Sequence, residues 1–237
     1  MKKTLIAFIA LALLTAVVVL ALYTGYLRFN YPSYSDFPVQ GIDISHYQGE
    51  VVWSKVNRRE VGFVFVKATE GVSFKDELFQ YNWSEAKKYG IPVGAYHFFS
   101  FCKSGNKQAD NFINSVPNGA NQLPPVIDLE FDSNCNTSNN TQELLSRIDT
   151  LQQRLFENYG KRPILYVTQE FYEQCLLGKF KENPIWFRDI YKEPTIADKR
   201  EWQFWQYGNR GRLAGIKTHV DLNAFHGSKA EFDKLLE

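Results

Sequence analysis

The sequence has few of the residue types that build metal, nucleotide and nucleic-acid sites. Among its 237 residues there are three cysteines, four histidines and one methionine, and no Cys/His spacing resembles a zinc site. Phosphate-binding loops and the glycine pattern of dinucleotide-binding folds are absent as well. The formal net charge is only +1, which argues against a dominant surface for binding polyanions. We therefore expect no metal, no cofactor and no nucleic-acid partner.

The sequence does contain enough apolar and aromatic material for a folded domain. Hydrophobic residues make up 44% and aromatic residues 16% of the chain, which argues against disorder. The length allows one large domain or two small ones, with a core that needs no disulfide or metal. Charge is distributed unevenly, because residues 1–31 carry three basic groups and no acid. The remainder of the chain is slightly acidic.

A long apolar run lies near the N-terminus. From Leu5 to Leu22, eighteen residues, only Thr15 is polar, and this length reaches the lower limit for a helix that spans a bilayer. Two lysines precede the run, which predicts a cytoplasmic N-terminus and an exported remainder. A cleaved signal peptide is the alternative, but its apolar region is usually shorter and ends at a small-x-small site, which the residues around Ala21 do not provide. We predict an uncleaved signal anchor and transmembrane segment over residues 1–28.

The rest of the chain divides into a linker and one domain. Residues 29–38 contain two prolines and are predicted to form a linker, and residues 39–237 are predicted to form one monomeric domain. The anchor would hold this domain on the periplasmic or extracellular side of a membrane, and cleavage would leave it secreted. One disulfide is expected in an oxidising compartment, and Cys102 with Cys135 is the predicted pair because each follows a predicted strand by a few residues. Three free thiols are the alternative.

Short apolar runs alternate with amphipathic helical patterns along this domain. The predicted strands are Gly41–Ser45, Phe63–Ala68, Pro92–Phe99, Pro125–Glu130, Pro163–Thr168, Ile185–Arg188, Gln203–Tyr207 and Thr218–Leu222. The predicted helices are Asp76–Tyr89, Lys107–Ser115 and Thr141–Tyr159. Continuous apolar strands interleaved with helices indicate a buried parallel sheet. The predicted fold class is α/β, a TIM-like (β/α) barrel preceded by a transmembrane helix and irregular at its last three strands, where the connections are short.

Carboxylates collect where these strands end. The five acids are Asp43, Glu70, Asp128, Glu130 and Asp221. The chemistry of such a barrel lies at the carboxyl ends of its strands, and alternation puts Asp128 and Glu130 on one face. Any single acid could instead cap a helix or pair with Lys or Arg, but five on one face favour a site. Two carboxyls in different environments suit glycosidic cleavage, in which one donates a proton and another stabilises positive charge or activates the attacking group.

Aromatic residues are expected at the same end of the barrel. They are Tyr96, His97, Phe98, Tyr166, Trp186, Trp205 and Tyr207. Sugar rings have flat C–H faces that stack on aromatic rings, and a polar neighbour such as Gln206 would bind sugar hydroxyls. Core packing is the alternative for each aromatic side chain, and a hydrogen-bonded core histidine is the alternative for His97.

Six motifs together carry a family resemblance. They are Gly41-Ile-Asp-Ile-Ser-His-Tyr-Gln-Gly, Val66-Lys-Ala-Thr-Glu-Gly, Val93-Gly-Ala-Tyr-His-Phe, Pro125-Val-Ile-Asp-Leu-Glu, Trp205-Gln-Tyr and Val220-Asp-Leu-Asn. Their order is that of glycoside hydrolase family 25, the Chalaropsis-type lysozymes or N-acetylmuramidases, which the chain resembles over about residues 39–226. The resemblance implies an irregular (β/α) barrel and a lysozyme-type peptidoglycan hydrolase. Such an enzyme cleaves the β-1,4 bond between N-acetylmuramic acid and N-acetylglucosamine.

The resemblance also implies roles for individual residues. Glu130 is implied to be the general acid, and Asp128 its partner, which either orients the acetamido group of the substrate or tunes Glu130. Asp43 and Asp221 match the two flanking acids of that active site. The motifs that line the substrate groove contain Glu70, Tyr96 and Trp205.

One segment departs from the family pattern. Where the family often has Trp-x-Ala-x-Tyr, this chain has Ile185-Trp-Phe-Arg-Asp-Ile-Tyr. The bulky Phe187 and the charged Arg188 stand in place of small residues, so the resemblance does not extend to substrate preference on this side of the groove.

Two other functions compete with a muramidase. A chitinase-type enzyme also uses an Asp-x-Glu pair, but it usually carries further aspartates upstream on the strand, where this chain has Pro124 and Val126. A non-catalytic glycan-binding protein would be expected to lack the acid or its partner, and both are present. Peptidoglycan glycan strands are therefore the predicted partner of the domain, and the membrane that of the N-terminal helix.

Overall fold

The computed structural model describes residues 2–27, 29–131, 135 and 141–237. Met1 and Arg28, at the two limits of the predicted anchor, lie outside the described residues. The first helix, α1 (Lys2–Tyr23), buries none of its side chains and is long and apolar enough to cross a membrane. The Thr15 hydroxyl donates a hydrogen bond to the carbonyl of Leu11 at 2.9 Å, so the polar side chain of the apolar run is satisfied within the helix.

Nine strands form one sheet in the described part of the chain. They are β1 (Gln40–Ile44), β2 (Phe63–Glu70), β3 (Phe74–Lys75), β4 (Val93–Phe98), β5 (Val126–Leu129), β6 (Ile164–Thr168), β7 (Ile185–Arg188), β8 (Phe204–Gly211) and β9 (Val220–Phe225). The helices after α1 are α2 (Phe79–Lys88), α3 (Gly105–Ile113), α4 (Thr141–Tyr159), α5 (Gln169–Phe171, continued by a π-helical turn over Tyr172–Leu176) and α6 (Lys229–Lys234).

Eight of these strands close into a barrel. The sheet order is β1-β9-β8-β7-β6-β5-β4-β2-β3, and β1 also pairs with β2, which leaves β3 as a short extension outside the closed ring. Seven strands of the ring run parallel to one another, namely β1, β2, β4, β5, β6, β7 and β8. The last strand, β9, is antiparallel to both β8 and β1. The architecture is thus a mixed α/β fold around a closed eight-stranded barrel.

The direction of β9 departs from the predicted parallel sheet. The connection from β8 to β9, residues 212–219, is shorter than the dozen or more residues that a parallel crossover needs. An antiparallel return is therefore the arrangement that this connection permits. The same shortage of chain between the last strands agrees with the expectation that the barrel is irregular there.

Side chains of the predicted linker, residues 29–38, contact the barrel. The Asn30 side chain donates hydrogen bonds to the carbonyls of Ile190 and Tyr207, each at 2.7 Å. Phe37 is buried and stacks on Trp202, with ring centroids 6.1 Å apart. The segment is therefore packed along the domain rather than separated from it.

Strand alternation divides the core into two layers. One layer lies between the barrel and its helices, and the other fills the barrel interior. We call the aromatic part of the interior layer the barrel floor; it consists of Phe63, Phe65, Trp186, Phe204 and Phe225. Phe232 of α6 packs beneath it, 5.5 Å from Phe63 and 5.3 Å from Phe225 between ring centroids.

Two glycines make room for these rings. A Cβ atom at Gly41 would lie 2.6 Å from the Phe63 ring, and one at Gly94 would lie 2.5 Å from the Phe65 ring. Separations this short are excluded by van der Waals repulsion, so both positions require glycine if the floor is to be aromatic. The glycines of two sequence motifs thus serve the packing that lies beneath the site.

Candidate active site

Asp128 and Glu130 lie where β5 ends, at the carboxyl end of the parallel strands, which we call the mouth of the barrel. Val126 belongs to the interior layer. Because alternate side chains of a strand point to the same face, Asp128 and Glu130 also point into the barrel. Asp128 is 8% exposed, whereas Glu130 is half-buried. Both side chains line one cavity of about 380 Å³, so the structure brings together the two acids that alternation assigned to one face.

Asp43 and Asp221 occupy neighbouring strands at the same mouth. Their Cα atoms are direct partners in the β1–β9 register. Because β9 runs antiparallel, Asp221 stands near the start of its strand rather than at the end, and this brings it to the carboxyl ends of the parallel strands. Both acids line the same cavity as Asp128 and Glu130.

Amide side chains hold Asp43 in place. Its Oδ1 accepts hydrogen bonds from Asn223 Nδ2 at 2.7 Å and from Gln206 Nε2 at 3.0 Å. The two amides are themselves oriented, because Trp186 Nε1 donates to the Asn223 oxygen at 2.9 Å and the Tyr166 hydroxyl donates to the Gln206 oxygen at 3.0 Å. Asn223, which we did not predict, follows Asp221 by the two residues that keep a strand side chain on the same face.

The carboxyls at the mouth bind protons more tightly than they would in water. Burial raises the pKa of Asp43 to about 6, although its two amide donors and Arg188 oppose the shift. Burial, with the charge of Asp43, raises the pKa of Asp221 to about 8. The pKa of Asp128 is raised well above its ordinary value by burial and by the charges of Glu130 and Asp43. The site therefore retains protons at neutral pH, which general acid catalysis requires.

Among the described residues, the buried Oδ1 atom of Asp128 has no hydrogen-bond partner. An unpaired carboxyl oxygen in a buried position is costly, and functional sites are where such a cost is commonly found.

The cavity that holds the acids forms the centre of a groove. We call it the central cavity, and its lining is Asp43, Tyr96, Val126, Asp128, Glu130, Tyr166, Trp186, Arg188, Gln206, Asn209 and Asp221. A second cavity of about 400 Å³, the Tyr191 cavity, is lined by Glu130, Phe131, Thr168, Gln169, Glu170, Arg188, Asp189, Ile190, Tyr191 and Lys192. A third, the Lys67 cavity of about 360 Å³, contains Lys67, Glu70, Tyr47, Gln48 and Phe98 together with the central acids. Glu130 lines all three, so it stands at the middle of an elongated groove.

Several predicted substrate contacts lie in this groove. Tyr96, Tyr166 and Gln206 line the central cavity, and burial beside the acids raises the pKa values of both tyrosines, which keeps their hydroxyls protonated. Glu70 lines the Lys67 cavity and forms an ion pair with Lys67 at 2.7 Å. Sequence reasoning missed Lys67, although it continues the inward series of Phe63 and Phe65 by two residues.

His97 and Trp205 do not lie in the groove, which corrects their assignment as substrate-binding residues. His97 is 0% exposed, and its ring nitrogens are hydrogen-bonded to Thr69 Oγ1 at 2.7 Å and Gln108 Oε1 at 3.1 Å. Burial lowers its pKa to about 4. Trp205 is buried in the outer layer and donates a hydrogen bond to the Asp189 carbonyl at 2.7 Å.

His97 and Trp205 face away from the groove because side chains alternate between the two faces of a strand. Consecutive strand residues point to opposite faces, so Tyr96 and Phe98 can face the groove only if His97 faces away. In the same way Gln206 faces the groove, whereas Trp205 and Tyr207 belong to the outer layer. The sequence-based assignment had placed whole runs of residues on one face.

Cysteines complete the description of the mouth. Cys102 and Cys135 form a disulfide with Cα atoms 6.2 Å apart, which ties the loop after β4 to the chain beyond β5. Cys175 is a free thiol, and burial raises its pKa. Within the described ranges, no group of three or more His, Cys, Asp or Glu side chains is arranged to hold a metal ion.

Comparison with known proteins places this geometry among glycosidases. The family model "Glycosyl hydrolases family 25" matches residues 42–216. The structure of a family 25 glycosyl hydrolase from Bacillus anthracis superposes with a TM-score of 0.82 and 36% identity, covering 89% of this chain and 99% of that one. Lysozyme M1 of Streptomyces globisporus is 34% identical over 204 residues, 81% of this chain and 69% of that protein. The N,O-diacetylmuramidase of Chalaropsis sp is 30% identical over 202 residues, 77% of this chain and 94% of that protein.

Proposed function

Because the chain belongs to glycosyl hydrolases family 25, we propose that this glycoside hydrolase is a muramidase. It cleaves the β-1,4 bond between N-acetylmuramic acid and N-acetylglucosamine in peptidoglycan. The observation that carries the proposal is the Asp128–Glu130 pair in the central cavity, which adjoins two further cavities along one groove. Similarity to a lysozyme and to an N,O-diacetylmuramidase supports the choice of substrate.

Glu130 is the proton donor in this proposal. It is half-buried and lines all three cavities, so a sugar chain lying along the groove brings a glycosidic oxygen to it. Asp128 lies deeper, and the two carboxyls repel each other when both are ionised. Such a pair titrates as a unit and holds a proton above the usual range of a carboxyl. Glu130 donates that proton to the leaving oxygen, while Asp128 orients the acetamido group of the sugar or tunes Glu130.

Asp43 and Asp221 flank the reacting bond. The fixed amides of Gln206 and Asn223 hold Asp43 in one orientation, so its negative charge is already in position when positive charge develops on the sugar ring. Stabilisation of such charge by preorganised groups costs little reorganisation during the reaction.

The N-terminal helix supplies the location in this proposal. We assign residues 1–28 as an uncleaved signal anchor, residues 29–38 as the linker and residues 39–237 as an irregular (β/α) catalytic barrel, exported and monomeric. Arg212 donates a hydrogen bond to the Thr24 carbonyl at 3.2 Å and lies over the Tyr26 ring at 4.8 Å, so the chain after α1 contacts the barrel. Membrane fractionation checks the anchor: the full-length protein is expected in the pellet after a carbonate wash, and a shortened protein in the soluble fraction would overturn it.

Digestion of purified peptidoglycan tests the activity. The full-length protein in mild detergent is expected to release fragments with N-acetylmuramic acid at the reducing end, identified by mass spectrometry. Glu130→Gln is nearly isosteric but cannot donate a proton, so its turnover is expected to fall by on the order of 10²–10⁴-fold. Circular dichroism and the melting temperature serve as controls for folding.

Other outcomes would distinguish the competing functions. Cut peptides with intact glycan strands would overturn the proposal. Preferential cleavage of chitin oligomers would indicate a chitinase-type enzyme. Binding of glycan without new reducing ends would indicate a non-catalytic glycan-binding protein.

A further inference from the structure

Among the described residues, one arginine lines the groove, at the boundary between two of its cavities. Arg188 is the last residue of β7, and it lines both the central cavity and the Tyr191 cavity. Its Cα is paired in the sheet with those of Thr168 and Gln206, so its position follows from the strand register.

In the described part of the chain, the guanidinium of Arg188 has no direct partner. Among the described residues it makes no hydrogen bond and no ion pair within 4.0 Å, although its charge lowers the pKa values of Asp43 and Asp221. Arginines elsewhere are engaged: Arg154 pairs with Asp110 at 2.7 Å and Arg162 with Glu182 at 2.7 Å. A half-buried guanidinium with five unused donors is suited to an anionic ligand.

The groove continues past Arg188 into the Tyr191 cavity, where Lys192 is a second cation. Three acids line it, Glu130, Glu170 and Asp189, and the Asp189 carboxylate accepts hydrogen bonds from the backbone N–H groups of Tyr191 and Lys192 at 2.9 and 3.1 Å. The Glu170 carboxylate accepts one from Gln174 at 3.2 Å. Lys192 is exposed at the edge of the cavity. The cations that this cavity presents to an incoming group are therefore Arg188 and Lys192.

We propose that Arg188 determines substrate specificity by binding a carboxylate attached to the muramic sugar whose bond is cleaved. The proposal rests on the muramidase function given above. Muramic acid carries a lactyl group that ends in a carboxylate when it is bare and in a peptide with its own carboxylates when it is substituted. A sugar in the central cavity projects such a substituent past Arg188 toward the Tyr191 cavity. A guanidinium binds a carboxylate through two parallel hydrogen bonds.

A purely electrostatic role makes a different prediction. If Arg188 only adjusted the acids at the mouth, its removal would shift the pH profile of kcat for every substrate. A carboxylate-binding role raises KM for carboxylated substrates and leaves neutral ones unchanged. The two roles are therefore distinguished by comparing KM between carboxylated and neutral substrates.

The experiment compares Arg188→Ala and Arg188→Lys with the wild-type protein on three substrates. These are peptide-bearing glycan strands, strands stripped of peptide so that the lactyl carboxylate is free, and stripped strands whose carboxylates are converted to amides. Arg188→Ala is expected to raise KM by about 10- to 100-fold on a carboxylated substrate, the range for loss of a charge-assisted contact, and to leave KM on the amidated strands unchanged. Loss of the Arg188 charge beside Asp43 and Asp221 shifts the pH profile of kcat equally on all three substrates, so the difference in KM between substrates is the readout. Arg188→Lys is expected to recover part of the loss. Arg162→Ala, which removes an arginine outside the groove, is the matched control.

The pattern across substrates identifies the carboxylate. An effect on stripped strands assigns it to the lactyl group, and an effect on peptide-bearing strands alone assigns it to the stem peptide. An equal rise in KM on amidated strands, or a shifted pH profile with unchanged KM, would overturn the proposal.

Binding provides a readout that does not depend on cleavage. In the Glu130→Gln background, the Kd for stripped or peptide-bearing strands is expected to rise on adding Arg188→Ala, while the Kd for amidated strands stays constant. A Kd that is insensitive to Arg188 for both carboxylated substrates would contradict the inference. Failure of the wild-type protein to cleave any strand would instead count against the muramidase function.

Discussion

The floor and the mouth of the barrel interior are built on the same strands, yet they have opposite chemistry. Along β2 the inward side chains run from Phe63 and Phe65 to Lys67, and along β5 they run from Val126 to Asp128. On each strand, the inward side chain is thus apolar and fully buried at one position and ionisable two residues further along. The apolar floor removes water from beneath the acids, and this desolvation is the largest cause of their raised pKa values. The floor therefore contributes apolar packing, and the mouth contributes ionisable groups.

Tyr166 and Trp186 connect the two regions. Their rings pack together with centroids 4.8 Å apart, and their polar atoms donate to the amides of Gln206 and Asn223. The aromatic packing below therefore determines the direction of the hydrogen bonds that hold Asp43 above.

The largest effect on stability is expected from truncating a side chain of the barrel floor. Phe65 is 0% exposed and stacks on Trp186, with ring centroids 4.8 Å apart. Phe65→Ala leaves a cavity and is expected to lower the free energy of unfolding by about 3–5 kcal/mol. Urea denaturation of the full-length protein in mild detergent measures the loss. Leu177→Ala, at a more exposed position, is the control and is expected to change stability much less.

If the floor and the mouth have separate roles, Phe65→Ala and Glu130→Gln are expected to have different defects. The floor variant loses stability, whereas the mouth variant loses turnover at an unchanged melting temperature. A mouth variant that unfolded like Phe65→Ala would show that the two regions are not separable.

A smaller effect concerns how stability depends on pH. The pKa of Asp221 is raised from 3.8 to about 8 in the folded protein. Below pH 3.8 the carboxyl is protonated in both folded and unfolded chains. As the pH rises toward 8 the unfolded chain releases this proton and the folded chain keeps it, so stability decreases over that interval. Asp221→Asn removes this contribution, and its free energy of unfolding is expected to fall less steeply with pH.

Denaturation curves at several pH values between 4 and 8 make the measurement. The exposed acid Glu157→Gln controls for the loss of one charge. Equal slopes for Asp221→Asn and the wild-type protein would mean that the mouth is better hydrated than its burial indicates.

Much of the fold could be predicted from local patterns. The bounds of β7 and α4 are as predicted, because hydrophobic period and length agree at both. α2 begins at Phe79 instead of Asp76, since the Asp76 carboxylate accepts a hydrogen bond from Leu78 N at 3.0 Å and also contacts His46. α6 was not predicted, although Ser228 and Glu231 form the capping box that marks its start.

The candidate site was predicted less evenly. The acids were found because a charge at the end of an apolar strand is conspicuous in the sequence. His97 and Trp205 were assigned incorrectly because an aromatic residue in a strand fits a groove and a core equally well, and only the register decides between them. Asn223 was missed since its role depends on Asp43, a partner on another strand.

The disulfide between Cys102 and Cys135 has a consequence for timing. It links the loop after β4 to the chain that leaves Glu130, and the bond does not persist in a reducing cytosol. In an exported domain, as proposed above, Cys102 and Cys135 therefore become linked only after the chain reaches an oxidising compartment. The disulfide then distinguishes exported molecules from those that remain in the cytosol.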